Sequence, residues 1–420
     1  MSEATLGVRP QDYAPPSVIT RWRDRSLSIG VVAAIPLVIV DLMSGRRLEL
    51  FLHSWLVGFL FWLGMTLGSL CLLMIQYVSG GNWGRVGRRF WEAAASNIPL
   101  MFLLWLPIAF GMKVLYPWAN QPSDPAQLQQ FLHHYGPSKI HYYLNPDLFW
   151  IRGFVYFIGW YLLCFFLMRW SRKEEAGEST PAEFVRVQNL SGFGIVFYAV
   201  GITFASIDWA MSLYPEWWST VWGMLFMVGQ VLTAFCFTII LLVGLANIEP
   251  VSRMFKTDYL HDFGKLMFTF VVLWAYLSFS QWLIIWSGNM LSEIRWYVMR
   301  LNGGWQYFGT LLIFVHFAFP FSLLLSRSLK RHGRRIVSIA LLLLVMRLVD
   351  LFWLTAPNFY NGWKGKGLEN FAWQDAAMYI LCPIAIGGVW LFLFFWRLEK
   401  RSLMPVNDPH FVDMLEAKHG

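Results

Sequence analysis

Charge is scarce in this chain: 14% of its 420 residues are Asp, Glu, Lys or Arg and 57% are hydrophobic, whereas an average soluble domain is roughly 25% charged. No soluble core has room for that much apolar surface, which excludes an ordinary water-soluble enzyme. Cysteine is rare as well. Cys71, Cys164, Cys236 and Cys382 stand singly within apolar segments, which excludes C-x-x-C iron–sulfur or zinc spacing and C-x-x-C-H haem attachment and leaves them as small packing residues. Histidine is nearly lacking inside the apolar runs. His316 alone sits well within one, and a b-type haem needs two histidines on facing helices. A P-loop, a Gly-rich dinucleotide turn and a soluble catalytic domain are missing too.

What the chain has in abundance is apolar runs of bilayer length, roughly 17–25 residues each. They lie near 28–44, 51–78, 97–116, 150–169, 191–213, 219–245, 266–287, 304–326, 336–356 and 376–396. The expected fold is an all-α integral membrane protein of about ten transmembrane helices, with a membrane domain over 28–396 between polar tails at 1–27 and 397–420. The stretch after Arg25 contains Pro36 and lacks a small-residue cleavage site, so it reads as a first span and not a signal peptide. Lys and Arg gather in alternate connections: about 23 of the 33 fall on one side, together with both tails, and about 7 on the other. Because such residues resist translocation, both termini are expected in the cytoplasm, with an even number of spans. The net charge of +8 then reflects topology and anionic lipid, not nucleic acid.

Ionisable residues inside spans are costly unless they face protein or water, which makes them functional candidates. Here they are Asp41, Lys113, Arg152, Asp208, His316, Arg347 and Asp350. Arg347 and Asp350 are spaced i, i+3 and can neutralise each other as a structural ion pair. Asp208 has no cation at helical spacing, so a structural and a functional role stand level. With Lys113, Arg152 and Asp41 it falls toward the outer ends of the spans, where such groups suit a proton relay or a quinone head-group pocket. His316 precedes Pro320 by one turn, and it reads either as a neutral imidazole bonded to irregular backbone or as a titrating step in a proton path. Glu293, Trp296 and Tyr297 are expected at the outer interface. The long outer connection from Tyr116 to Phe149 carries His133, His134 and His141; a docking surface for a partner is the favoured reading and a metal site the lesser one. Asp208 and Asp350 lie 142 residues apart, as do Pro215 and Pro357, a hint of duplication in parallel orientation.

Several local strings carry a resemblance. Leu260-His261-Asp262-Phe263-Gly264-Lys265-Leu266, Leu273-Trp274-Ala275-Tyr276 and Phe279-Ser280-Gln281-Trp282-Leu283-Ile284-Ile285-Trp286-Ser287-Gly288-Asn289 resemble the ActF subunits of alternative complex III. Ile207-Asp208-Trp209 with Met211-Ser212-Leu213, His316-Phe317 with Pro320-Phe321, and Arg347 with Asp350 and Trp353 before Pro357 add to the match. The likeness covers roughly residues 50–400 and is most specific from His261 to Asn289.

The resemblance implies a ten-helix fold similar to the NrfD polysulfide-reductase membrane subunits, with bundles of four helices at about 51–213 and 219–356 and two flanking helices. It also implies a bacterial inner-membrane complex that oxidises quinol and passes electrons to cytochrome c or another periplasmic carrier. The implied partners are a multihaem cytochrome c, an iron–sulfur subunit and an ActC-like paralogue, which holds the better supported quinol site. Haem and iron–sulfur clusters then belong to partners, and this chain contributes scaffolding, proton movement or quinone binding with no cofactor of its own. Asp208, His316, Arg347, Asp350 and Lys113 become the proton-path candidates. Two departures stand out: Tyr214-Pro215-Glu216-Trp217 replaces an expected Glu-Pro-His-Trp, and Arg295 replaces a proline before Trp296. Competing readings are a stand-alone secondary transporter, for which Pro320 and Pro383 offer the mid-span breaks, and a purely structural anchor.

Overall fold

The computed structural model describes residues 13–45, 47–360, 367–405 and 407–408. Every regular element among them is helical. The principal helices are α1 (Ser17–Met43), α2 (Arg47–Ser79), α3 (Asn82–Ala95), α4 (Ile98–Phe110), α5 (Pro146–Glu175) and α6 (Pro181–Trp209). They continue with α7 (Trp222–Leu245), α8 (Thr257–Gly288), α9 (Trp305–Leu324), α10 (Gly333–Thr355) and α11 (Trp373–Leu398). Among the described residues nine helices are long and apolar enough to cross a membrane; α3 and α4, bent by 42° at their junction, count as a tenth only if the pair is one span. The chain is a multi-pass, all-α membrane protein.

Local chemistry sets the helix ends. The Asn145 side chain accepts from Leu148 N at 2.9 Å, and Thr180 and Glu183 form a reciprocal cap, each followed by a proline at the first helical position. Asn289 closes α8 in the left-handed conformation. One expectation is corrected. Residues 79–96, between two apolar runs, read as a connection, yet they hold α3, a helix of mostly buried residues, because its arginines and Glu92 neutralise one another.

Helix α2 is the central post: 94% of its most apolar stretch is buried, against 28% for α1 and for α8. It closes a ring with α4, α5 and α6, and α7, α8, α9 and α10 close a second ring. The rings join where α2 meets α7, and glycine permits the approach. A Cβ on Gly68 would lie 2.2 Å from the Gln230 carbonyl oxygen. Outside both rings α1 lies along α11, with Gly30 against Gly388; a Cβ on Gly388 would sit 2.3 Å from Gly30 Cα. Helix α11 is tied to α2 by the Trp62 indole donating to Pro383 O and the Trp390 indole donating to Thr66 Oγ1, both at 2.8 Å. Val32, Ile35, Ile158, Phe193, Val196 and Ile284 point outward from the rim, a surface suited to acyl chains.

The connection from Tyr116 to Phe149 is built of short helices at Pro117–Ala119, Pro125–Tyr135 and Pro137–Tyr142, each opened by a proline. The described start of the C-terminal tail is not solvated. Leu403 and Met404 are buried, and Leu403 N donates to Tyr13 O at 2.9 Å.

Candidate functional site

Asp208 sits buried in the last turn of α6. Its cation comes from the neighbouring helix: Arg152 of α5 donates Nη2 to Oδ1 and Nε to Oδ2, both at 2.9 Å. One turn further along α5, the Tyr156 hydroxyl donates to Oδ2 at 2.8 Å. Arg152 is itself held by Tyr143, whose carbonyl accepts at 2.9 Å and whose ring centroid lies 4.0 Å from the guanidinium. A two-pronged pairing satisfies both carboxylate oxygens, as a buried charge requires. The sequence marked Arg152 and Asp208 separately, and the packing of α5 on α6 joins them.

The second acid lies in the other ring. Arg347 and Asp350 are both buried on α10 and hydrogen-bond through Nη1 and Oδ2. The Trp274 indole of α8 also donates to Asp350 Oδ2, at 3.2 Å. The guanidinium lies against α7 at Gly229, where any Cβ would fall 2.2 Å from Arg347 Cζ. Next to that glycine, Gln230 accepts from the Tyr198 hydroxyl of α6 at 2.8 Å, so polar groups reach across the joint between the rings.

His316 is buried on α9, with its ring centroid 4.2 Å from that of Trp274. Its backbone belongs to a π-helical segment, Leu312–Ala318, after which Phe319 N bonds to Phe314 O; such segments recur at functional sites. Neither ring nitrogen makes a hydrogen bond of ordinary geometry to a described residue. The structure therefore brings His316, Trp274, Asp350 and Arg347 together, places Asp208 with Arg152 and Tyr156, and leaves Lys113 exposed beyond α4. The Lys113 carbonyl accepts from Asn120 Nδ2 at 2.6 Å, and its amine joins neither cluster.

A third buried cluster was missed in the sequence. Arg88 Nε lies 3.0 Å from Glu92 Oε1, Arg89 Nη1 lies 2.7 Å from Glu92 Oε2, and Arg88 also pairs with Glu174 of α5. Asp408 of the tail reaches Arg88 Nη1 at 3.2 Å. The i, i+3 and i, i+4 spacing of Arg88, Arg89 and Glu92 was the available signal.

At the opposite ends of the helices, Glu216 receives His134 Nε2 at 2.8 Å and Arg295 Nη1 at 3.7 Å, and Lys139 Nζ donates to Pro215 O at 2.8 Å. Burial holds the Lys139 amine below its usual value, with Glu216 opposing. Burial, then Glu216, pushes the Tyr214 phenol up to about 12. Trp296 is enclosed by protein: it stacks on Trp217 at 4.4 Å and covers the Arg300 guanidinium at 3.4 Å. Arg300 donates to the Leu354 and Trp353 carbonyls at 2.7 and 3.2 Å and so closes the end of α10. His133 is exposed and His141 lies on a separate short helix; among the described residues no three His, Cys, Asp or Glu are placed to hold a metal.

The chain matches no protein-family model and no curated protein. Its interior offers carboxylates braced by cations, phenols and an imidazole, groups suited to holding and exchanging protons.

Proposed function

We propose that this chain is a membrane subunit of a respiratory quinol oxidoreductase of the alternative complex III type, scaffolding redox subunits and assisting proton movement. Its ten spans would take the NrfD-like arrangement in a bacterial inner membrane, with both termini cytoplasmic. One observation carries the reading. Trp274, from one ActF-like string, donates to Asp350, from another, at 3.2 Å, so separate parts of the resemblance meet in one buried cluster.

In this reading His316 serves mid-membrane, and Asp350 and Asp208, each steadied by an arginine, serve the outer half. An indole donates but does not accept, so Trp274 orients Asp350 and passes no proton itself. Lys113, exposed beyond α4, would act in release at the surface. Multihaem cytochrome c, iron–sulfur and ActC-like partners would carry the electrons, with quinone as the ligand open to this chain.

Isolation in mild detergent, followed by mass spectrometry and absorbance of co-migrating chains, tests the assignment. A large complex with c-type haem and an NrfD-like paralogue supports it; a haem-free monomer or homo-oligomer favours a transporter. Within the complex, Asp208→Asn and Asp350→Asn are expected to lower proton release or quinol oxidation. Unchanged rates in both would remove the relay.

A further inference from the structure

Where α3 bends into α4, the chain parts from the ends of α5 and α11 and leaves a cavity of about 660 Å³. Five cations line it: Arg89, Arg172, Arg397, Lys400 and Arg401. Two carboxylates face them, and both are engaged. Glu92 holds Arg89 at 2.7 Å and Arg401 at 3.0 Å, and Glu175 holds Arg401 at 2.6 Å. Arg172, Arg397 and Lys400 pair with no carboxylate among the described residues. Arg397 donates to the neutral side chain of Asn97, Lys400 Nζ rests 3.2 Å from the Trp396 ring centroid, and Arg172 is exposed. Arg89 adds a further demand: it is buried, its Nη2 lies 3.7 Å from Glu175 Oε2, beyond hydrogen-bond reach, and its Nε finds no hydrogen-bond acceptor.

A cavity with spare cations and unfilled guanidinium donors calls for an anion with several oxygens, and phosphate meets that geometry. The rest of the wall decides what carries the phosphate. Tyr161 and Phe165 line the same cavity from the outward-facing flank of α5, each more than 40% exposed. A free anion has no use for that flank, whereas acyl chains do. We infer that the cavity binds the phosphate head group of an anionic phospholipid, with its chains running along Tyr161 and Phe165. Basic pockets between membrane helices bind lipid head groups in this manner. The bend between α3 and α4 opens the pocket, and Arg401 and Ser402 of the tail form part of its wall.

The test uses the full chain, delipidated in mild detergent and titrated with cardiolipin, phosphatidylglycerol or phosphatidylcholine under native mass spectrometry. The anionic lipids are expected to be retained over phosphatidylcholine. Arg172→Gln and Lys400→Gln, both at exposed positions, are expected to weaken retention about fivefold each. Lys400→Arg should hold the lipid as the native chain does. Arg334→Gln with Arg335→Gln, an equal charge loss at exposed positions on α10, should leave binding within about twofold, because screening confines a surface charge to its neighbourhood. Native affinity in the double variant R172Q/K400Q overturns the inference. So does an equal loss in the α10 control, which would make the attraction diffuse. Displacement of the lipid by millimolar inorganic phosphate would mark a small-anion site and overturn it too.

Discussion

Asp208 is enclosed on all sides, and its two oxygens are occupied by Arg152 and Tyr156. Replacing Arg152 by Met leaves that carboxylate buried without a counter-ion, and removing one partner of such a pair costs about 3–5 kcal/mol. Chemical denaturation in detergent should register that loss for Arg152→Met. The double change R152M/D208L should recover much of it, since an apolar pair of similar volume needs no desolvation of charge. Tyr214 supplies a pH dependence. Its phenol moves from 10.0 in the open chain to about 12 when folded, so above pH 10 the unfolded chain gives up its proton first. The stabilisation is whole below pH 10 and drains as pH climbs toward 12; Tyr214→Phe should flatten thermal stability across that window. These pairs were unequally visible in the sequence. Arg347 and Asp350 lie on one helical face, and their spacing announces the bond. Arg152 and Asp208 are 56 residues apart, and their meeting depends on how two helices pack, which spacing does not encode.

At the scale of the element, glycine sets how closely helices cross. The Gly30–Gly388 contact leaves no volume for a side chain, and forcing one in typically costs about 1–3 kcal/mol. Gly388→Leu is therefore expected to lower the thermal midpoint and to free α1. Gly192→Leu on α6, where a Cβ would meet nothing within 4 Å, should be tolerated, and equal effects from the two would show that the crossing is not tight. The ten apolar runs were legible because hydropathy sums over a whole helix and outweighs local noise. Helix α3 was not: the spacing of Arg88, Arg89 and Glu92 signals local pairing, but the burial of Arg88 also draws on Glu174 and Asp408, 86 and 320 residues away, which the linear pattern hides. The π turn around His316 escaped as well: Pro320 marks a break in donors, and the tertiary contacts around Trp274 and His316 choose how the backbone absorbs it.

For the molecule as a whole, the arginine and lysine asymmetry makes a claim about sidedness. Ser123 and Glu178 are exposed on connections separated by one span, α5. Ser123→Cys should react with an impermeant maleimide on intact cells, and Glu178→Cys only after permeabilisation; the reverse pattern would invert the topology. The apolar spans follow from summed composition. The closure of the body does not, because the grip of α1 on α11 joins the two ends of the chain across everything between them. That grip has a consequence in time. At roughly 5–20 residues per second, the ribosome needs on the order of 15–65 s between finishing α1 and reaching α11. Throughout that interval the first helix waits in the bilayer with the face around Gly30 unmet, open to whatever neighbour or insertion factor reaches it first. Any nascent-chain partner that shields Gly30 must then yield its place when the final helix emerges.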